Sequence, residues 1–309
     1  MEREAPTVIA GTCGYDYPEW VGADLFYPPR LARDRRDWLT YYASQFPAVE
    51  LDFTHYGEAK PAQFEGMLKR TDPRQQLVLL EGTYAPLPAF TFFVKAYASL
   101  THSITQEWRT AARRFVVATA PLREAGKLAG VLAQFPSRLP CTGELVSYIL
   151  ELADEVRPVQ LIVEFRHRRW FTAQALGKLV SEGTAVCGVD APTDADLPSF
   201  IEDGAPAVAP LVEGAAKEGS QLAYVRLHGR RADSWWSGDA ASRYEYRYAP
   251  SQLTRLAERL LQQPVEKAYV LFNNHRHADA AKNARQLQEI VRALLQGRAS
   301  AGAQDSRTE

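Results

Sequence analysis

The chain has 309 residues, 46% hydrophobic and 24% charged, an ordinary globular balance that excludes collagen-like, coiled-coil and disordered proteins. Its 36 basic and 37 acidic side chains leave a formal charge of −1, so no global basic field directs it to nucleic acid or an anionic membrane. Three cysteines, Cys13, Cys141 and Cys187, form no CxxC pair; they fit a reducing compartment and neither a disulfide framework nor a zinc knuckle. The amino-terminal MEREAPTVIAGTCGY is acidic and lacks an apolar signal core, and no run reaches the roughly 18 apolar residues of a membrane span. The expectation is a soluble, cytoplasmic protein with no membrane partner.

In chain order, eight apolar runs read as strands: Val8–Gly11, Ala48–Leu51, Thr91–Lys95, Gly130–Gln134, Gln160–Glu164, Ala185–Val189, Ala223–Leu227 and Ala268–Phe272. Near-continuous hydrophobic runs such as LIVEF and AYVLF suit strands buried on both faces. Helical stripes lie between them. Thr172 reads as an N-cap for a helix carrying Ala175, Leu176, Leu179 and Val180, which Gly183 ends. Leu253, Leu256, Ala257, Leu260 and Leu261 follow Pro250 at helical spacing, and Ala281, Ala284, Leu287, Ile290, Val291 and Leu294 repeat the stripe. Eight strands with about seven helices predict a single (β/α)₈ TIM-type barrel over residues 1–296, followed by a polar tail at 297–309. Asp72–Ala89 and Ala191–Gln221 read as inserted loops, the second replacing a degenerate sixth helix.

Barrel chemistry gathers at the C-terminal ends of the strands. All six histidines follow a strand end within about seven residues, together with most of the notable charges. Glu50 and Glu164 end apolar strands, where a carboxylate is costly to bury unless paired. Structural ion pairing and catalysis are both open readings for them. Arg226 and His228 alternate with Leu227 and so share one face of a strand, where they suit an anionic ligand or a salt bridge to Glu164. In the run EFRHRRWF, Arg166 and His167 are expected to face the pocket, and Arg168 and Arg169 solvent. Tyr15, Tyr17, Trp20, Phe26 and Tyr27 form an aromatic cluster that reads as a stacking surface or a loop plug. The G-T-C-G run at Gly11–Gly14 follows a strand without an immediate helix, which favours a tight turn over a phosphate cradle. Glu50, Glu164, Asp190 and His228 come from separate strand ends, as barrel metal ligands do, but no HExxH-type spacing accompanies them. No metal ligand is assigned, and the cofactor is left open with a divalent metal as one option.

The motifs G-T-C-G-Y-D-Y-P-E-W, F-P-A-V-E-L-D-F-T-H-Y, F-V-K-A-Y-A-S-L-T-H, A-Q-F-P, V-E-F-R-H-R-R-W-F, Y-V-R-L-H-G-R and F-N-N-H occur in that order. In this order the chain resembles the domain-of-unknown-function-72 family, the YecE-like proteins. The resemblance implies a (β/α)₈-type barrel and supplies no established reaction. It carries over Tyr15, Trp20, Glu50, Tyr56, Lys95, His102, Gln134, Glu164, Arg166, His167, Trp170, Arg226, His228, Gly229, Asn273 and Asn274. The chain departs at Cys13-Gly14-Tyr15, where the family often has Ser-Gly-Trp, and at Asp52, where Asn is usual.

The leading expectation is an enzyme acting on a small anionic or phosphate-bearing substrate by hydrolase-type acid–base chemistry. Arg166, Arg226 and Lys95 would hold the anion. Glu50 or Glu164 would be general base, and His228 or His167 general acid. Tyr15, Trp20, Tyr56, His102, Gln134, Asn273 and Asn274 complete the expected binding set. The alternatives are a nucleic-acid-binding or repair module of the metal-dependent phosphodiesterase kind, and a non-catalytic ligand sensor.

Overall fold

The computed structural model describes residues 4–73, 90–192, 197–201, 222–232 and 243–305. The strands are β1 (Thr7–Cys13), β2 (Ala48–Leu51), β3 (Thr91–Lys95), β4 (Leu128–Phe135), β5 (Leu161–Phe165), β6 (Ala185–Val186), β7 (Gly188–Asp190), β8 (Leu222–Leu227) and β9 (Lys267–Phe272). They form one parallel sheet in the order β6-β5-β4-β3-β2-β1-β9-β8-β7. The helices are α1 (Trp38–Gln45), α2 (Pro61–Arg70), α3 (Ala98–Thr101), α4 (Trp108–Glu124), α5 (Gly143–Val156), α6 (Ala173–Ser181), α7 (Pro250–Leu260) and α8 (Asp279–Asp305).

The two outermost strands of that order are halves of one expected strand, parted at Cys187. β6 pairs with β5 through Val163↔Val186, and β7 pairs with β8 through Val189↔Arg226. The Cys187 amide still donates to the Val163 carbonyl at 2.8 Å. One short segment thus leaves one edge of the sheet and joins the other, and the sheet closes into a TIM-type barrel.

Sequence patterning explains the helices locally. The Thr172 side chain caps α6 by accepting from the Ala175 amide at 3.2 Å, and Thr142 caps α5 in the same way. Gly183, with φ +89°, ends the α6 turn in the left-handed region. In α7 the stripe Leu253, Leu256, Ala257 and Leu260 is wholly buried, each leucine contributing roughly 1.5–3 kcal/mol of transfer free energy. Gly11 lies inside β1, not in the turn its sequence context suggested. A Cβ there would meet the Ala48 carbonyl oxygen at 2.1 Å, so only glycine lets β1 and β2 approach this closely.

Two cores result. One lies between sheet and helices; the other fills the barrel and includes Phe93, Leu132, Ile162, Tyr224, Tyr269 and Leu271. Phe93 packs on Tyr224 and Tyr269 with ring centroids 4.6 and 4.7 Å away. The barrel is therefore plugged below its C-terminal mouth.

Two expectations concern the ends and insertions. α8 runs on to Asp305, so the helix passes Gly297 where a polar tail was expected to begin. Residues 74–89, 193–196 and 202–221, which carry most of both expected insertions and the position of the sixth helix, lie outside the described residues.

Candidate active site

Strand β8 supplies the centre. Its alternation turns Tyr224, Arg226 and then His228 inward, while Ala223, Val225 and Leu227 pack outward. Arg226 bridges two carboxylates: Nη2 donates to Glu50 Oε1 at 2.8 Å and Nη1 to Glu164 Oε2 at 2.6 Å. Tyr224 Oη donates to the second Glu50 oxygen at 2.5 Å. Arg166 Nε donates to Glu164 Oε1, and its Nη2 meets His228 Nε2 at 2.8 Å. Glu50, Glu164 and His228 are all fully buried. Register explains the convergence, since Glu50 aligns with Cys13 and Glu164 with Gln134 on neighbouring strands.

This layer is electrostatically committed. Burial acts to raise the Glu164 pKa, but Arg166, Arg226 and His228 outweigh it and hold the carboxyl well below its usual range. A carboxylate so strongly paired is a weak proton acceptor. Both terminal nitrogens of Arg226 are also spent, which makes it the brace between β2, β5 and β8. Arg226, expected as an anion anchor, and Glu50 and Glu164, expected as general bases, are thus paired with one another in a buried ion-pair layer outside the cavity lining. Removing one partner of such a buried pair costs about 3–5 kcal/mol.

His228 is the second correction. Burial, then the Arg166 charge, pushes its pKa down to about 3, so the ring is neutral. Arg166 Nη2 stands 2.8 Å and Glu164 Oε1 3.4 Å from Nε2, and the Asn273 Nδ2 amide stands 2.9 Å from Nδ1. A neutral ring with both nitrogens engaged by protein groups is not placed as a general acid for a ligand. It orients Arg166.

Above this layer opens a cavity of about 310 Å³, lined by His55, Tyr56, Lys95, His102, Gln134, Pro136, Ser137, Arg166, Leu197, Arg243 and Tyr244. Two arginines, a lysine and two histidines face it, with no carboxylate among the described lining residues. Lys95 is 9% exposed and has no hydrogen-bond or ion-pair partner among the described residues. Burial, then Arg226, lowers its pKa to about 8, with Glu50 and Glu164 opposing. His55 and His102 pack edge to face at 4.6 Å. Burial, then its neighbour His55, brings His102 down to about 4; burial, then Lys95, lowers His55 as well. His55 Nδ1 and Arg243 Nε are buried without hydrogen-bond partners among the described residues. Tyr56 stands at the rim, 83% exposed.

The remaining expected residues lie elsewhere. Trp20 is fully buried and donates through Nε1 to the His275 carbonyl at 2.6 Å, and Tyr17 stacks on the His275 ring at 4.8 Å. Tyr15 packs beside Tyr42, and its carbonyl accepts from Tyr27 Oη at 2.6 Å. The aromatic cluster is thus a plug and not a stacking surface. His167 Nδ1 accepts from the Arg169 amide at 3.1 Å, capping its own turn outside the cavity lining. Asn274 donates to the Tyr246 carbonyl and to Asn283 Oδ1, fastening a loop. Asp190 is held by Arg230, Tyr248 and Ser199. With Glu50 and Glu164 already paired, the four candidate metal-binding side chains do not form a donor set. No group of three or more His, Cys, Asp or Glu is placed to hold a metal among the described residues.

Sequence reasoning missed Tyr224, Tyr244, Tyr248 and Arg243 as site residues and did not place His55 in the binding set. Tyr224 had a signal, since it lies two residues before Arg226 on the same strand face. Arg243 and Tyr244 lie in a long connection without periodicity, where no pattern points inward.

Comparison with known proteins fits this barrel. A family model described as "Protein of unknown function DUF72" matches residues 9–306. The chain belongs to the DUF72 family. The UPF0759 protein YunF of Bacillus subtilis (strain 168) is 31% identical over 290 residues, covering 88% of this chain and 92% of that protein. A DUF72 family protein (TM1631) of Thermotoga maritima MSB8 superposes with a TM-score of 0.71 at 30% identity, over 93% of this chain and 99% of the other. A D-psicose 3-epimerase superposes with a TM-score of 0.52 at 13% identity, over 94% of this chain and 99% of the other. That likeness concerns the barrel alone. No helix among the described residues of this DUF72 chain is long and apolar enough to cross a membrane.

Proposed function

We propose that this DUF72 barrel is an enzyme that takes a small anionic, phosphate-bearing substrate into the cavity at its C-terminal face. One observation carries the reading: Lys95, Arg166, Arg243, His55 and His102 line one pocket of about 310 Å³, and the carboxylates nearby are paired underneath it. A largely buried wall with two arginines and a lysine, and no carboxylate among its described residues, suits a negative occupant. Arg166, oriented by Glu164 and His228, supplies directional donors to oxyanion oxygens. Lys95 and Arg243 add charge from other walls, and Gln134 a neutral amide. The neutral histidines are the groups here able to accept a proton, a role the sequence had suggested for Glu50 and Glu164.

Tyr56 favours one second reading. An exposed ring at the rim of an anion pocket suits a base stacked outside it, as in a nucleotide or a displaced strand. The near-zero net charge argues against tight duplex binding.

Calorimetric titration with inorganic phosphate, a mononucleotide and a short duplex tests both. The expected result is phosphate binding that Arg166→Lys weakens by about ten-fold or more, because the charge stays but the planar fork is lost. Unchanged phosphate affinity in that variant removes Arg166 from the site. Duplex binding that falls by orders of magnitude between low and moderate salt favours the second reading.

A further inference from the structure

Resting on the anion-binding reading, we infer that Lys95 is an amine nucleophile and that the substrate is an anionic aldehyde or ketone, captured through its carbonyl carbon. Lys95 ends β3 at the cavity wall, more than nine-tenths buried, with no carboxylate or carbonyl paired to its ammonium group among the described residues. Structural lysines so deeply buried are normally paired, because an unpaired buried charge is costly. Here the lysine's own Thr54-bonded carbonyl fixes the backbone, while the side chain is left to the cavity. Burial, then the Arg226 charge, lowers its pKa to about 8, which supplies a share of free amine at ordinary pH.

The cavity holds the other parts such a step needs. Arg166 and Arg243 would fix the anionic end. The neutral amine of Lys95 attacks the carbonyl carbon; a C–N bond forms, and the C=O π pair moves to oxygen, which takes up one proton from solvent, so that the product is the protonated imine. The nitrogen gives a proton to His55 or His102, both neutral and on the same cavity wall. That proton then goes to the departing hydroxyl, which leaves as water while the nitrogen lone pair forms C=N. No oxidant or reductant is required. Lys95 is thereby a catalytic residue, with the two histidines lining the same cavity.

Reductive trapping tests this. The full-length protein is treated with glycolaldehyde phosphate or with uncharged glycolaldehyde, each with cyanoborohydride at pH 7.5, and the labelled lysines are identified by peptide mass spectrometry. The expected result is labelling of Lys95 at least about ten-fold faster than of the exposed Lys60 and Lys178. The phosphorylated aldehyde should outpace the uncharged one, and inorganic phosphate should protect. Lys95→Arg should abolish the fast label while circular dichroism is kept. Labelling that follows exposure alone overturns the amine role, and phosphate binding by calorimetry would still stand. Fast labelling of Lys95 by both aldehydes equally, without protection by phosphate, overturns the anionic substrate and with it the anion-binding reading.

Discussion

His228 shows at the residue scale how environment decides role. The same imidazole that reads from sequence as a general acid is buried, faces an arginine and is held neutral with a pKa of about 3. In the unfolded chain it would titrate near 6.5. Below that pH the unfolded state binds a proton that the folded state refuses, so stability falls as pH drops. Between pH 7.5 and pH 5 the loss from this residue should be about 2 kcal/mol. Urea unfolding across that range, on wild type and His228→Gln, should give a flatter pH slope for the variant. Parallel slopes would contradict a neutral, buried His228.

Strand β8 is the element on which the site is built, and its alternation was legible. Arg226 and His228 on one face followed directly from period two, while a ligand and Glu164 both remained open as their partner. The ends of the eight expected strands likewise fell within a few residues of the observed ones. Two kinds of feature were not legible. The direction in which a buried charge is spent depends on partners from distant strands, so Arg226 could not be assigned to Glu50 and Glu164 in place of a ligand. Groups on aperiodic connections, such as Arg243 and Tyr244, carry no pattern at all. The brace across β2, β5 and β8 has a measurable signature. Arg226→Met should destabilise by about 3–5 kcal/mol in denaturant unfolding, since it strands Glu50 and Glu164. The double variant Arg226→Met, Glu164→Gln should recover part of that loss. Strict additivity of the two changes would mean the pair is not coupled.

For the whole molecule, closure of the barrel creates the asymmetry on which function rests. Joining the sheet's edges through one strand split at Cys187 brings every strand's C-terminal end to a single mouth. Aromatic plugs below and a paired ion layer above leave one polar opening, whose described walls are cationic although the chain as a whole carries −1. A net charge read from composition hides such a local field, which only the strand-end positions of Lys95 and Arg166 signalled. The central claim is that this wall holds an anion, and crystals soaked in selenate test it directly. Anomalous density is expected inside the cavity, within hydrogen-bonding distance of Lys95 Nζ and the Arg166 guanidinium, and it should disappear in Lys95→Met crystals. An empty cavity, with selenate bound only at exposed surface arginines, would contradict the account.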